Sequence, residues 1–209
     1  MSIESELKSV SKQDLKTNII AVTKTFPASE IKPLISHGHT HFGENKVQEA
    51  LDKWTKLKND TNDIKLHMIG KLQTNKVKFV IPLFDYIHSL DNLKLAQKIS
   101  LEQKKINKKL KIFIQVNIGN EDQKSGINQS DVTSFYKKCT SEFDLDIVGL
   151  MCIPPLKEKK IKYYRLMKNL NDSIGLNELS MGMSSDYLDA VTYGATYIRI
   201  GSKIFGERS

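Results

Sequence analysis

Short apolar runs alternate with longer helical patterns eight times along this chain, and that alternation limits the fold more than any single residue does. Strand candidates fall at 18–23, 40–42, 64–69, 85–88, 111–117, 145–150, 177–180 and 197–200. Between them, Ser29–His37, Lys46–Leu57, Thr74–Val80, Leu93–Lys105, Asp131–Cys139, Lys160–Asn171 and Ser185–Tyr193 read as helices. A further helix is expected near the N-terminus, over about residues 2–15. Ser29, Asp91, Ser130 and Ser184 stand where helix N-caps belong, and Gly38 and Gly194 where helices end. Strict strand–helix alternation requires a parallel sheet with right-handed crossovers. Eight units predict a closed (β/α)₈ barrel with an extra N-terminal helix; an open doubly wound sheet is the alternative. The second and seventh strands are short and polar. At 209 residues the chain is near the short limit for a barrel. It has no linker or low-complexity segment, so residues 1–209 are expected to form one domain.

Composition removes several function classes. The net charge is +8, yet only Arg165, Arg199 and Arg208 among the 32 basic residues are arginine. Arginine is the residue suited to bidentate phosphate and base-edge contacts. The lysines are spread among acidic residues on presumed helix faces, which argues against nucleic acid as a partner. Cys139 and Cys152 are too few for a disulfide framework and match no zinc motif. The N-terminal segment is not a secretory signal, and no apolar run approaches membrane-spanning length. A cytoplasmic protein that does not engage membranes is expected.

In a parallel fold of either kind, ligands are met at the C-terminal ends of the strands. There this sequence places Lys24, "GEN" (43–45), "GKLQTNK" (70–76), "HSLD" (88–91), "NIGNEDQKSG" (117–126), "MCIPP" (151–155), "SMGMSSD" (180–186) and "RIGSKIFG" (199–206). The seventh segment runs from a strand through a glycine turn into a helix start. Gly182 would let the backbone approach a ligand, and the amides of Met183, Ser184 and Ser185 would point outward. With Gly201 and Ser202 from the next loop, this predicts a phosphate site. A simple N-cap at Ser184 and a turn glycine at 182 are the structural reading. Arg199 lies between two isoleucines in a chain that nearly always uses lysine, which suggests an inward-facing ligand contact rather than a strand-end salt bridge. A lysine on such a rim, desolvated and close to other cations, has a lowered pKa and a nucleophilic amine. Beside a phosphate site, Lys24 therefore points to pyridoxal 5′-phosphate or a sugar-phosphate aldehyde. A snorkelling surface lysine is the bland reading. The alternating His37, His39 and His41 straddle a helix end, and metal binding is not expected. His67 reads as a hydrogen-bonder inside the barrel, Met151 and Cys152 as packing. Asn45, Gln73 and Asn75 could orient a ligand or close turns.

The segments "AVTK", "HFGENKVQEALDK", "HMIGKLQTNK", "IHSLDNLKLA", "FIQVNIGNEDQKSG", "GLMCIPP", "LSMGMSSD" and "YIRIGSKIFGER" together resemble the pyridoxal phosphate homeostasis protein family, whose members look like the barrel domain of alanine racemase standing alone. The resemblance implies a barrel holding pyridoxal 5′-phosphate as an aldimine on Lys24. It implies phosphate binding by Ser180, Gly182, Met183 and Ser184 with Gly201 and Ser202, Arg199 opposite the pyridine nitrogen, and Asn45 beside the cofactor. Thr23, Lys71 and Cys152 depart from the family's commoner residues and leave fine selectivity open. An arginine opposite the ring nitrogen weakens the ring as an electron sink. Racemisation also needs a second acid–base group, which alanine racemase takes from another domain; this sequence ends directly after the eighth unit. The expectation is a monomeric cofactor carrier, without robust catalysis, that passes cofactor to apoenzymes. A racemase or related pyridoxal-dependent enzyme is the alternative, and a class I aldolase a more distant one.

Overall fold

The computed structural model describes residues 17–61, 63–121, 123–156 and 158–206; the helix expected over about residues 2–15 lies outside them. The elements alternate without exception: β1 (Asn18–Val22), α1 (Ala28–Ser36), β2 (His41–Glu44), α2 (Val47–Asn59), β3 (Lys65–Met68), α3 (Val77–Leu83), β4 (Tyr86–Leu90), α4 (Leu93–Ile106), β5 (Lys111–Val116), α5 (Val132–Ser141), β6 (Asp146–Cys152), α6 (Ile161–Ser173), β7 (Glu178–Met183), α7 (Tyr187–Thr192), β8 (Tyr197–Ile200) and α8 (Ser202–Phe205). Every strand pairs in parallel with its sequence neighbour, and β1 also pairs with β8, so the sheet closes. Closure disposes of the open-sheet alternative.

Strand alternation sorts the apolar residues into two cores. Ala21, Phe42, Leu66, Ile87, Ile112, Leu150, Leu179 and Ile198 belong to the large core beneath the helices, with Trp54 and Tyr164. Ile20, Tyr86, Phe113, Met151 and Tyr197 form a separate, smaller core inside the barrel. The interior is not purely apolar. His67, His88, Ser180 and Arg199 are buried, and the rings of His67 and His88 stack on Tyr86 and Phe113 at 4.2 and 4.3 Å. The expectation that His67 bonds within the barrel is met.

Helix ends agree with sequence reasoning less well than strands do. Asn92, not Asp91, caps α4: its Oδ1 accepts from the Leu95 amide at 2.8 Å. Pro27 occupies the N-cap position of α1, which puts Ser29 inside the helix. A 3₁₀ turn over Gln129–Asp131 absorbs Ser130, and Asp186 rather than Ser184 precedes α7. In the last three cases a proline or a short turn moved the boundary by one or two residues. Gly38 and Gly194 do follow α1 and α7, at φ +84° and +89°. The short helix α8 had no sequence counterpart. Among the described residues no helix is long and apolar enough to cross a membrane.

Candidate functional site

The turn after β1 is built to hold one residue, Lys24, in place. Phe26 N–H donates to the Thr23 carbonyl at 3.1 Å, which closes residues 23–26 into a turn. Thr25 sits inside it at φ +71°, a left-handed conformation that costs a non-glycine residue about 1–2 kcal/mol. The surroundings offset this. Thr25 N–H donates to Glu49 Oε1, and Lys53 Nζ donates to the Thr23 and Phe26 carbonyls at 2.8 and 3.3 Å. Behind the turn, Glu44 Oε1 receives the Thr23 hydroxyl at 2.7 Å, Trp54 Nε1 at 2.9 Å and Lys53 Nζ at 2.7 Å. Glu44 is fully buried. Sequence reasoning missed Glu44 and Lys53 as structural partners. The signal for them resembled the one that exposed Lys24: a charged residue ending a strand, here Glu44 after Phe42 and Gly43.

Arg199 sits on β8, the strand paired with β1, with Ile20 as its partner in the register. Its NH1 donates to Ser180 Oγ at 2.7 Å and its NH2 to the Cys152 carbonyl at 2.8 Å. It is buried, and burial pulls its pKa down from the ordinary guanidinium value. No carboxylate pairs with it among the described residues, so the salt-bridge alternative does not hold. An unpaired buried cation favours an electron-rich or anionic partner arriving from outside. Burial pushes the Cys152 thiol up to about 12; it packs rather than reacts.

The rim beside Arg199 is set by an irregularity in β7. Ser180 pairs with Tyr197 but Met183 with Arg199, so three steps on β7 match two on β8. Gly182 takes up the extra residue at φ +91°, a bulge that re-aims the residues after it. A Cβ at Gly182 would lie 2.6 Å from the Ala190 Cβ, so its lack of a side chain serves packing against α7. The expected row of outward amides is altered too. Asp186 Oδ1 accepts the Met183 amide at 2.7 Å, and Ser184 Oγ accepts the Gly201 amide at 3.3 Å. Burial raises the Asp186 pKa, but Lys160 and the Met183 amide outweigh it and hold the carboxyl below the usual range. The turn is thereby fixed as a Ser184–Ser185 ridge.

These elements enclose a cleft of about 410 Å³ at the C-terminal mouth, lined by Lys24, Phe26, Asn45, Met183, Ser184, Ser185, Arg199, Gly201 and Ser202 with a few aliphatic side chains. Seven of the nine sequence-predicted residues therefore meet: Lys24, Asn45, Met183, Ser184, Arg199, Gly201 and Ser202. Ser180 and Gly182 do not line it. Ser180 lies below, its hydroxyl bonded between Arg199 and His88, and Gly182 faces α7. Asn45 is placed by the loop after β3: a Cβ on Gly70 would come within 2.2 Å of the Asn45 carbonyl oxygen. Phe26 stacks on Phe205 of α8 at 4.6 Å and walls one edge. His37, His39 and His41 form no metal cluster among the described residues; His41 instead bonds His67.

One amine, one buried guanidinium, and two small-residue turns carrying hydroxyls and amides thus share a compact cleft. That donor set suits a ligand with a carbonyl, an aromatic nitrogen and a phosphate.

Residues 3–209 match the sequence family described as alanine racemase, N-terminal domain. The chain is 37% identical to the pyridoxal phosphate homeostasis protein of Aquifex aeolicus, over 91% of this chain and 86% of that one. Among solved structures, PipY of Synechococcus elongatus with PLP bound superposes at a TM-score of 0.87, with 33% identity, covering 98% of this chain and all of that one. Alanine racemase of Clostridium difficile superposes at 0.74 with 14% identity, covering 98% of this chain and 56% of that one, a likeness of fold.

Proposed function

The chain belongs to the pyridoxal phosphate homeostasis protein family, and from that premise we propose that it binds pyridoxal 5′-phosphate in the cleft and serves to hold and hand on the cofactor rather than to turn over a substrate. The observation that carries the proposal is the buried, carboxylate-free Arg199 facing a cleft that Lys24, after the neighbouring strand, also lines. The residues fit the cofactor part by part. Arg199 presents N–H groups suited to an unprotonated ring nitrogen. Ser184, Ser185 and Ser202 offer hydroxyl and amide donors to a phosphate dianion, with the Gly201 amide turned to Ser184 Oγ beside them. When bound, the cofactor supplies an aldehyde, an electrophile reversibly condensable with an amine.

Lys24 is the amine for that linkage: its nitrogen would bond the aldehyde carbon as a Schiff base, with water as the leaving molecule. Because the bond is hydrolysable, the same lysine can release what it holds. The Thr23–Phe26 turn, fastened by Lys53 and Glu49, keeps this amine on the rim.

The lining also supports a carrier over a catalyst. Among the described lining residues no aspartate, glutamate, histidine, tyrosine or cysteine accompanies Lys24. Proton transfer on two faces of a bound amino acid needs two such groups. The proposed activity is that of a single cytoplasmic barrel domain, a monomer, that limits reactive aldehyde and supplies apoenzymes.

The test is spectroscopic. Protein mixed with pyridoxal 5′-phosphate should develop a visible band that borohydride fixes onto the peptide containing Lys24. Absence of a band, or fixation elsewhere, sinks the binding proposal. Sustained racemisation of alanine or another amino acid by the loaded protein sinks the carrier proposal.

A further inference from the structure

Below the cleft, a file of side chains crosses the barrel from β8 to β2. Arg199 NH1 meets Ser180 Oγ at 2.7 Å, Ser180 Oγ meets His88 Nδ1 at 2.8 Å, His88 Nε2 meets His67 Nδ1 at 2.9 Å, and His67 Nε2 meets His41 Nδ1 at 2.9 Å. Ser180, His67 and His88 are fully buried and His41 half-buried. Both nitrogens of His67 and of His88 are engaged, so protons can be assigned by elimination.

A guanidinium only donates. Ser180 Oγ therefore accepts from Arg199. If its hydroxyl hydrogen goes to His88 Nδ1, His88 carries its proton on Nε2 and donates to His67. His67 then does the same to His41, and every contact is satisfied. In the reverse direction His88 would donate to Ser180, and neither Arg199 nor His88 could accept the hydroxyl hydrogen. A doubly protonated imidazole in the file would set donor against donor. A buried donor left unsatisfied is costly, so one direction wins.

We propose that Ser180, His88, His67 and His41 are positioning residues that form a one-way hydrogen-bond chain, with all three imidazoles neutral and protonated on Nε2, which orients the Arg199 guanidinium toward the cleft. The interior around the chain agrees. His67 stacks on Tyr86 of β4 and also faces His41 of β2 and Tyr197 of β8; His88 stacks on Phe113 of β5 and faces Tyr197 as well as Ser180 of β7. The charged and titratable groups nearby are Arg199 and His41, against His88, and His88, His41, Lys58 and His39, toward His67. No carboxylate faces either ring to favour an imidazolium. Burial first, then these neighbours, hold both pKa values well below the usual histidine range.

The chain's direction stands without a ligand, whereas its effect on binding rests on the cofactor reading above. Ligand-free, ¹⁵N-labelled protein examined by long-range proton–nitrogen correlation should show the neutral Nε2–H pattern for His41, His67 and His88. His67 and His88 should keep it from about pH 8 to about pH 5.5, across the normal histidine range. A proton on Nδ1 of His67 or His88, or titration of either ring in that range, overturns the chain. Ser180→Ala should release His88 into a mixture of tautomers and weaken pyridoxal 5′-phosphate binding about tenfold, the loss expected for a charge-assisted bond. Ser180→Thr, which keeps the hydroxyl, should restore both and gives the same readout if the alanine variant folds poorly. Wild-type affinity in Ser180→Ala, or failure of rescue in Ser180→Thr, overturns the positioning role. A wild-type protein that binds no cofactor overturns the function proposed above, while the tautomer pattern still decides the chain.

Discussion

Two polar clusters flank the cleft, and they solve the same problem by opposite means. Behind Lys24, on the helix side of β2, Glu44 and Lys53 form an ion pair at 2.7 Å. The Thr23 hydroxyl and the Trp54 indole donate to the same Glu44 oxygen and Lys53 to the Thr23 carbonyl, while Glu44 Oε2 has no hydrogen-bond partner among the described residues. Behind Arg199, inside the barrel, the support is a serine and three imidazoles. Location accounts for the difference. The layer between strand and helix offers turn carbonyls and a lysine stem reaching toward the surface, so the charge of a buried carboxylate can be matched at one of its oxygens. The interior is enclosed by Tyr86, Phe113 and Tyr197. There a second charge would meet the full desolvation penalty, and neutral donors and acceptors are the lower-energy support.

The contrast can be broken most forcefully on the charged side. Lys53→Met leaves Glu44 buried without its counter-ion, and a loss of about 3–5 kcal/mol in urea unfolding is expected. Adding Glu44→Gln should recover part of that loss; no recovery would show that the carboxylate is not the cause. On the neutral side the lever is acid. His67 and His88 have pKa values below those of the unfolded chain, so below about pH 6.5 the unfolded state binds more protons and stability falls as pH falls. Two such groups should remove about 2–3 kcal/mol over the first pH unit below that point. A flat profile of urea midpoint against pH between about 7.5 and 5.5 would contradict neutral buried rings. His67→Gln should lower stability by about 1–3 kcal/mol at neutral pH and roughly halve the acid slope, which separates a titrating ring from packing loss. Smallest in stability is Lys24→Ala. Half-buried at the rim, this side chain should contribute within about 0.5 kcal/mol, while its removal should abolish the borohydride-fixed label. A large drop in thermal midpoint would mean that the clamp supports more than the position of one amine.

Much of the barrel was legible in the order of residues along the chain. Strands such as 111–117 and 197–200 announced themselves as apolar runs, and helices as 3.6-residue patterns. Polar residues after each strand marked the rim, which located Lys24, Asn45, Ser184 and Arg199. Other features were illegible for physical reasons. The bulge at Gly182 depends on pairing between β7 and β8, and it is what drops Ser180 below the cleft and lifts Ser184 to its edge. The Met183 amide looked free from local sequence because nothing local shows that Asp186 folds back to take it. Helix starts at Asn92 and Pro27 slipped because serine and aspartate are good caps wherever they occur, and a cap is chosen by geometry.

By itself, then, the sequence determined the fold class, the rim that carries the chemistry and the two cations on it, because hydrophobic periodicity and strand–helix order act locally along the chain. Only the tertiary structure decided what stands behind those cations. Glu44 with Lys53, and Ser180 with His88, His67 and His41, become partners only when the barrel closes. Their effect depends on burial, since a carboxylate or an imidazole exposed in solution would exert little of it.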